Sequence, residues 1–319
     1  MPEKYLMMKN FLKALRLKSA AASILSAAIC FIFISCEDVI DLETQTGPEQ
    51  MVVDGWITND AGPQTIKLSW SANYFNNNAP KPVLDAEVTI TDNLGKVFEF
   101  KDVDANGTYT WGISNTDTLG QIGRTYTLKI KNGTEMYSAV SEIKRVPAVD
   151  SVVYRNEKLP FEPDEGPKEG FVAQFYARDF AGSGDTYWIK PFVSGKAVVD
   201  KAVNISIAYD AAFNSGAATD GLIFILPLRE SITTDTLYSA GASVGVELHS
   251  ITKETFEYLN QIREQASNGG LFATPITNIK SNVINADPAG PKALGFFAAS
   301  AVSRKETVID PAKARPDDD

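Results

Sequence analysis

Thr65-Ile-Lys-Leu-Ser-Trp70 alternates polar and apolar side chains without a break, and Thr125-Tyr-Thr-Leu-Lys-Ile-Lys131 repeats the pattern. Period-two alternation turns one face of a strand to a core and the other to water. Ala86-Glu-Val-Thr-Ile-Thr91 and Val97-Phe-Glu-Phe100 extend the series. Turn signals separate these runs: Asn59-Asp-Ala-Gly-Pro63, Asp92-Asn-Leu-Gly95, Asn106-Gly107 and Asn132-Gly133. Short strands at this spacing predict a sandwich of two antiparallel sheets over residues 49–145, of an Ig-like or transthyretin-like kind.

Val146-Pro-Ala-Val-Asp150 interrupts the alternation and reads as a hinge, and 157–170 reads as an exposed loop rich in Pro, Glu, Asp and Gly. Beyond the hinge, residues 146–305 read as a second, mainly-β domain, making the chain all-β. Its expected strands are Phe171–Ala177, Thr186–Lys190, Gly221–Leu226, Ser243–Leu248 and Ala293–Ala298. One helix is expected over 252–267, with Thr252 as N-cap and Asn268-Gly-Gly270 as its stop. Phe256, Leu259, Ile262 and Ala266 form its apolar stripe. Residues 306–319, with two prolines and three terminal aspartates, read as a disordered tail.

Upstream of the sandwich, Lys4, Lys9, Lys13, Arg16 and Lys18 precede an apolar run from Ala20 to Ser35 that ends at Cys36. A basic start, an apolar stretch and a small residue before the cut are the parts of an export signal. The run is 16 residues, short of the roughly 20 that a membrane span needs. Ser35-Cys36 resembles a bacterial lipobox, with Phe33 where that motif usually has leucine. The resemblance makes residues 1–35 a signal peptide and Cys36 the lipidation site, carrying diacylglycerol and an N-linked acyl chain such as palmitate. Residues 36–48, with four acids between Glu37 and Glu43, then form a tether. Acids just after the lipidated cysteine resemble a surface-export signal.

Removing residues 1–35 takes away five of 30 basic and one of 40 acidic residues, leaving a formal net charge of −14. Such a body repels phosphate backbones, so nucleic acid is not an expected partner. Cys30 leaves with the signal and Cys36 is acylated, so no disulfide is expected in the mature domain. With His249 the chain's one histidine, zinc sites built on His/Cys clusters and Cys–His nucleophiles are excluded. His249 lies in a strand-like run and reads as half-exposed.

No metal ligands or catalytic residues stand out. Asp102-Val-Asp-Ala-Asn-Gly107 opens like a calcium loop, but its twelfth position is Ile113 instead of a bidentate acid. It reads as a hairpin turn, and it resembles the turn of transthyretin-like regulatory domains, in which the tyrosine (here Tyr109) anchors the fold. Tyr74, Phe75, Asn76 and Asn77 put aromatics beside amides in one loop, a combination suited to sugars or peptides. Trp56, Trp70, Tyr187 and Trp188 read as core.

Val52-Val-Asp-Gly-Trp-Ile-Thr58, Gly62-Pro-Gln-Thr65, Asn73-Tyr-Phe75, Val146-Pro147, Asn268-Gly-Gly-Leu-Phe-Ala-Thr-Pro275, Ser281-Asn282 and Leu294-Gly-Phe-Phe-Ala298 together resemble the Bacteroidota lipoprotein family called domain of unknown function 4249. The resemblance runs from Cys36 to about Lys305. It implies no assigned chemistry and no cofactor. It does imply a place in the outer membrane, often beside a TonB-dependent receptor. The expectation is therefore a non-enzymatic, surface-exposed lipoprotein that binds a ligand or serves such a transporter. The alternatives are a structural or adhesive envelope lipoprotein and an extracellular hydrolase. Palmitate labelling in the native bacterium should mark the wild-type chain and leave Cys36→Ala unmarked; equal labelling of both would remove the anchor.

Overall fold

The computed structural model describes residues 47–73, 76, 78–112, 114, 116–212, 219–233, 235–269 and 278–316. Cys36 and the tether through Thr46 lie outside them, as do Tyr74, Phe75 and Asn77. Alternation is realised in space: Gln64–Trp70 (β2) buries Gln64, Ile66 and Leu68 while Thr65 and Lys67 face out. Its neighbours are Met51–Thr58 (β1) and Thr108–Trp111 (β5), both antiparallel to it. The facing sheet is built from Glu87–Asp92 (β3), Val97–Phe100 (β4), Thr125–Asn132 (β6) and Glu135–Glu142 (β7). Ile57, Ile66 and Leu68 from one sheet meet Ile90, Tyr126 and Leu128 from the other, all fully buried. This is the expected sandwich.

The Asp102–Gly107 stretch is the turn leading into β5. Asp102 spends its carboxylate on the Asn106 and Gly107 amides at 3.1 and 2.8 Å. Tyr109 then anchors the sandwich, its hydroxyl donating to Val83 O at 2.9 Å and accepting from Ala86 N at 3.0 Å.

A second layered core follows. Val149–Lys158 (β8) and Glu169–Ala177 (β9) pair as a ribbon with an exposed loop between them. Phe171, Ala173 and Phe175 of this ribbon pack with residues of Thr186–Val193 (β10) and Ser243–Ile251 (β13). Among the described residues this second main sheet runs β11-β10-β13-β16, where β11 is Lys196–Ala197 and β16 is Val302–Val308; Ser206–Tyr209 (β12) also pairs with β10. The helix, Lys253–Ser267 (α1), starts where expected, with the Thr252 hydroxyl accepting from Thr255 N. Of its predicted stripe, Leu259 is buried, Phe256 and Ile262 are half-buried and Ala266 is exposed. No helix among the described residues is long and apolar enough to cross a membrane.

Four expectations need correction. The division at 145/146 is crossed by the chain: Ile284–Asn285 (β14) pairs with β7, and Leu294–Ser300 (β15) pairs in parallel with β1. Segment 283–301 therefore completes the first sandwich, with Phe297 fully buried in its core. Asn282 clamps this return strand, donating to Phe297 O at 2.8 Å and accepting from its N–H at 2.9 Å. Second, residues 306–316 are ordered, because Ile309 is buried in the second core and the amides of Asp310 and Arg315 bond Tyr154. Third, 221–226 is no strand: it makes one bridge, Ile223 to Arg178, and buries only Phe224 of its apolar run. Fourth, His249 is 1% exposed, since β13 is flanked by β10 and β16 and covered on both faces.

Gly295 makes the return possible. It adopts φ +82, and a Cβ there would lie 2.0 Å from Val53 O on the paired strand. Backbone overlap and a left-handed conformation act together against any side chain. Gly295→Ala should lower unfolding free energy by about 3 kcal/mol or more in urea titrations; a loss within error would mean that β15 does not need its present register.

Candidate functional site

β1 and β15 of the first sandwich, β10 of the second and helix α1 converge on a cleft of about 1040 Å³. Its apolar wall includes Trp56, Trp188, Tyr238, Tyr258 and Phe296. Trp56 and Trp188 meet edge to face at 4.8 Å, and Tyr258 stacks on Phe296 at 4.3 Å. The cleft's charged residues are Asp54, Glu165, Asp200 and Lys190, with the Lys201–Asp235 ion pair at 2.5 Å. A concave surface of aromatic and aliphatic side chains with charged groups among them has the chemistry of a small-molecule or oligomer site.

Behind the tryptophans lies a buried polar relay. The Trp56 indole N–H donates to Ser300 Oγ at 2.9 Å, and Ser300 Oγ lies 2.8 Å from His249 Nδ1. His249 Nε2 lies 2.5 Å from Glu247 Oε1. An ionised carboxylate only accepts, so Nε2 carries the proton and Nδ1 accepts from the Ser300 hydroxyl. Glu247 is further held by Arg304 Nε at 2.8 Å, and the Arg304 guanidinium forks onto both oxygens of Asp60 at 2.8 and 2.6 Å. Lys190 completes the group, 3.8 Å from Glu247 and 3.9 Å above the Trp188 ring.

The titration of these groups follows from position. Burial pushes the His249 imidazole down to about 4, helped by the charge of Lys190 and opposed by Glu247, so it is neutral at pH 7. Burial alone would raise Glu247, but the His249 and Arg304 hydrogen bonds and the Lys190 charge win and hold it at about 2. Burial also brings Lys190 down to about 8 against the pull of Glu247.

Serine, histidine and glutamate in series have the composition of a nucleophilic triad. Yet Ser300 is fully buried, its oxygen already accepts from Trp56, and neither it nor His249 lines the cleft. In this arrangement the relay fixes the Trp56 ring and does not present a nucleophile.

Of the residues the sequence offered for binding, Asn76 is described. It is exposed, accepts from Asn78 N at 3.0 Å and is not on the cleft wall. Trp56 and Trp188, expected in the core, are half-buried: they pack against the small apolar cluster of Ile207, Ile251 and Leu259 and also line the cleft. Glu247 and His249 were legible as an i,i+2 pair on one strand face; their partners Lys190 and Arg304 follow only from strand register.

The molecule is thus an all-β protein of interlocked sheets with an aromatic cleft over a buried charge relay. The chain belongs to the family described as domain of unknown function (DUF4249), whose model matches residues 37–306. No curated protein matches it.

Because the folded His249 titrates at about 4 against an ordinary 6.5, the unfolded chain takes up its proton first on acidification. Its contribution to stability is complete above pH 6.5 and is lost as pH falls toward 4. His249→Gln should flatten the acid limb in that window by on the order of one proton, while the Glu247 limb below pH 4.5 remains. Urea midpoints from pH 7 to 4 measure this; an unchanged slope would mean that the imidazole is not the buried neutral group.

Proposed function

We propose that this protein is a non-enzymatic outer-membrane lipoprotein, anchored at the cell surface through Cys36, which binds a ligand in the aromatic cleft and acts as an accessory to a TonB-dependent transporter. The observation that carries the binding role is the cleft itself: about 1040 Å³ walled by Trp56, Trp188, Tyr258 and Phe296, with the Trp56 ring held from behind by Ser300. Rings ordered before the ligand arrives lose little conformational entropy on binding, which favours affinity. The volume suits a few sugar rings or a short peptide, and an acidic excess on the lining, Asp54, Glu165, Asp200 and Asp235 against Lys190 and Lys201, favours a neutral ligand over an anionic one. The sealed Ser300 supports a non-catalytic role. The membrane and transporter part of the reading rests on the lipobox-like Ser35-Cys36 and on what family resemblance implies.

Tryptophan emission of the full chain, titrated with a panel of neutral oligosaccharides and short peptides, should change saturably with at least one member. Trp188→Ala should weaken that binding at least tenfold, on the order of 1–3 kcal/mol. Affinity purification from native membranes should recover a β-barrel partner. A flat titration for the whole panel would reject the cleft, and purification without a barrel would reject the accessory role.

A further inference from the structure

Away from the cleft, three carboxylates from separate parts of the chain meet. Asp179 follows the end of β9, Asp210 follows β12, and Asp220 lies in the turn before Leu222. One carboxylate oxygen from each lies within 4.8 Å of the others. Asp179 and Asp210 are both 3% exposed, and Asp220 is open to solvent.

The hydrogen bonds around them leave a gap of one kind. Asp210 Oδ1 accepts from the amides of Gly184 and Asp185 at 2.7 and 3.1 Å. Asp179 Oδ1 accepts from the buried Tyr187 hydroxyl at 2.5 Å. Asp179 Oδ2 is buried and has no hydrogen-bond partner. An unpaired buried carboxylate oxygen is expensive and calls for a compensating group. Among the described residues no lysine or arginine pairs with any of the three; the nearby Arg145 is bound to Asp185 at 2.8 Å. Arg178 points its guanidinium at Gly221 O, at 3.1 Å.

We propose that Asp179, Asp210 and Asp220 form a binding site for a hard divalent cation, calcium by preference. Two oxygens bound to one calcium at about 2.3–2.6 Å lie at most roughly 5 Å apart, a limit the three carboxylates already meet. Every donor is oxygen, which disfavours zinc, copper and other metals that prefer nitrogen or sulfur. The ligands come from three separate loops and leave positions for water or carbonyl oxygens, and this irregular set suits calcium better than octahedral magnesium. The ion would supply the positive charge the cluster lacks. Binding would tie the ends of β9 and β12 to the 219–222 turn, which the Asp179 amide already bonds through Leu222 O at 2.9 Å. None of this depends on the aromatic cleft.

The test is calorimetric titration of the EGTA-treated full chain with calcium chloride and, separately, magnesium chloride, together with thermal unfolding. The expected result is one calcium per chain, with a melting temperature raised by about 5 °C when calcium exceeds Kd a hundredfold. Asp220→Asn removes the exposed ligand without touching the core and should weaken calcium at least tenfold. Asp179→Asn, nearly isosteric, should do the same. No heat and no thermal shift in the wild-type chain up to about 10 mM calcium would overturn the site, since even weak extracellular calcium modules bind near 1 mM. Calcium binding unchanged in both variants would overturn this placement, and magnesium binding as tightly as calcium would overturn the preference.

Discussion

The parallel pairing of β1 with β15 is the contact on which the rest of the molecule depends. It joins residues about 240 positions apart, from Val52–Leu294 to Thr58–Ser300. After one intervening residue, Ala301, the chain is already in the other sheet, since β16 begins at Val302 and pairs with β13. The crossover at Ala301 is buried and pinned on both sides. Ser250 exchanges hydrogen bonds with its backbone, and Asn59 Oδ1 accepts from Val302 N at 2.8 Å. A single extended stretch thus serves two sheets, so the two hydrophobic cores cannot separate without breaking a ladder. Val146, read from sequence as part of a hinge, packs against both cores instead.

That crossover also explains where the buried charges sit. Ser300 is the last residue of β15, and Arg304 lies on β16 opposite Glu247. Both are delivered to the relay by the same stretch of chain. Removing ions from water is costly, and a buried pair need not stabilise a fold relative to apolar residues of the same shape. Here the arrangement is nearly closed: Glu247 accepts from His249 and Arg304, and Arg304 also bonds Asp60. What such closure supplies is definition. The Trp56 nitrogen has one acceptor and that acceptor has one orientation, so the ring edge facing the cleft is set by hydrogen bonds as well as by packing.

Local pattern carried much of the fold and little of the assembly. Strands β2, β3, β4 and β6 were visible because alternation is a property of neighbouring residues, and α1 because Thr252 and the stripe after it are local too. The run 221–226 misled for the same reason. An unbroken apolar stretch has no period, and here it follows Gly221 in a left-handed turn (φ +69) and buries one phenylalanine. The destination of β15 left no local mark, since a parallel partner far along the chain is chosen by shape and not by spacing. His249 was misjudged because exposure depends on what covers a strand. The three aspartates were invisible among 40 acidic residues, because only the fold brings them within reach of one another.

The cleft inherits its properties from the same crossover. Two of its walls, β1 with β15 and β10 with α1, belong to different sheets, and a site between independently moving domains would ordinarily open and close. Here Trp56 on β1 contacts Trp188 on β10, and beneath them Ser300 reaches His249. Widening the cleft would therefore require separating an aromatic pair and breaking a buried hydrogen bond at once, each worth on the order of 1 kcal/mol or more. The walls on the tryptophan side are held by these contacts, and under the proposed binding role any adaptation would fall to the polar rim. There, among the described residues, half-exposed Lys201 and Asp235 bond each other and Asn204, an arrangement that solvent screens. If the cleft binds as proposed, a fixed aromatic wall beside an adjustable polar rim would select by ring shape first and by polar substituents second.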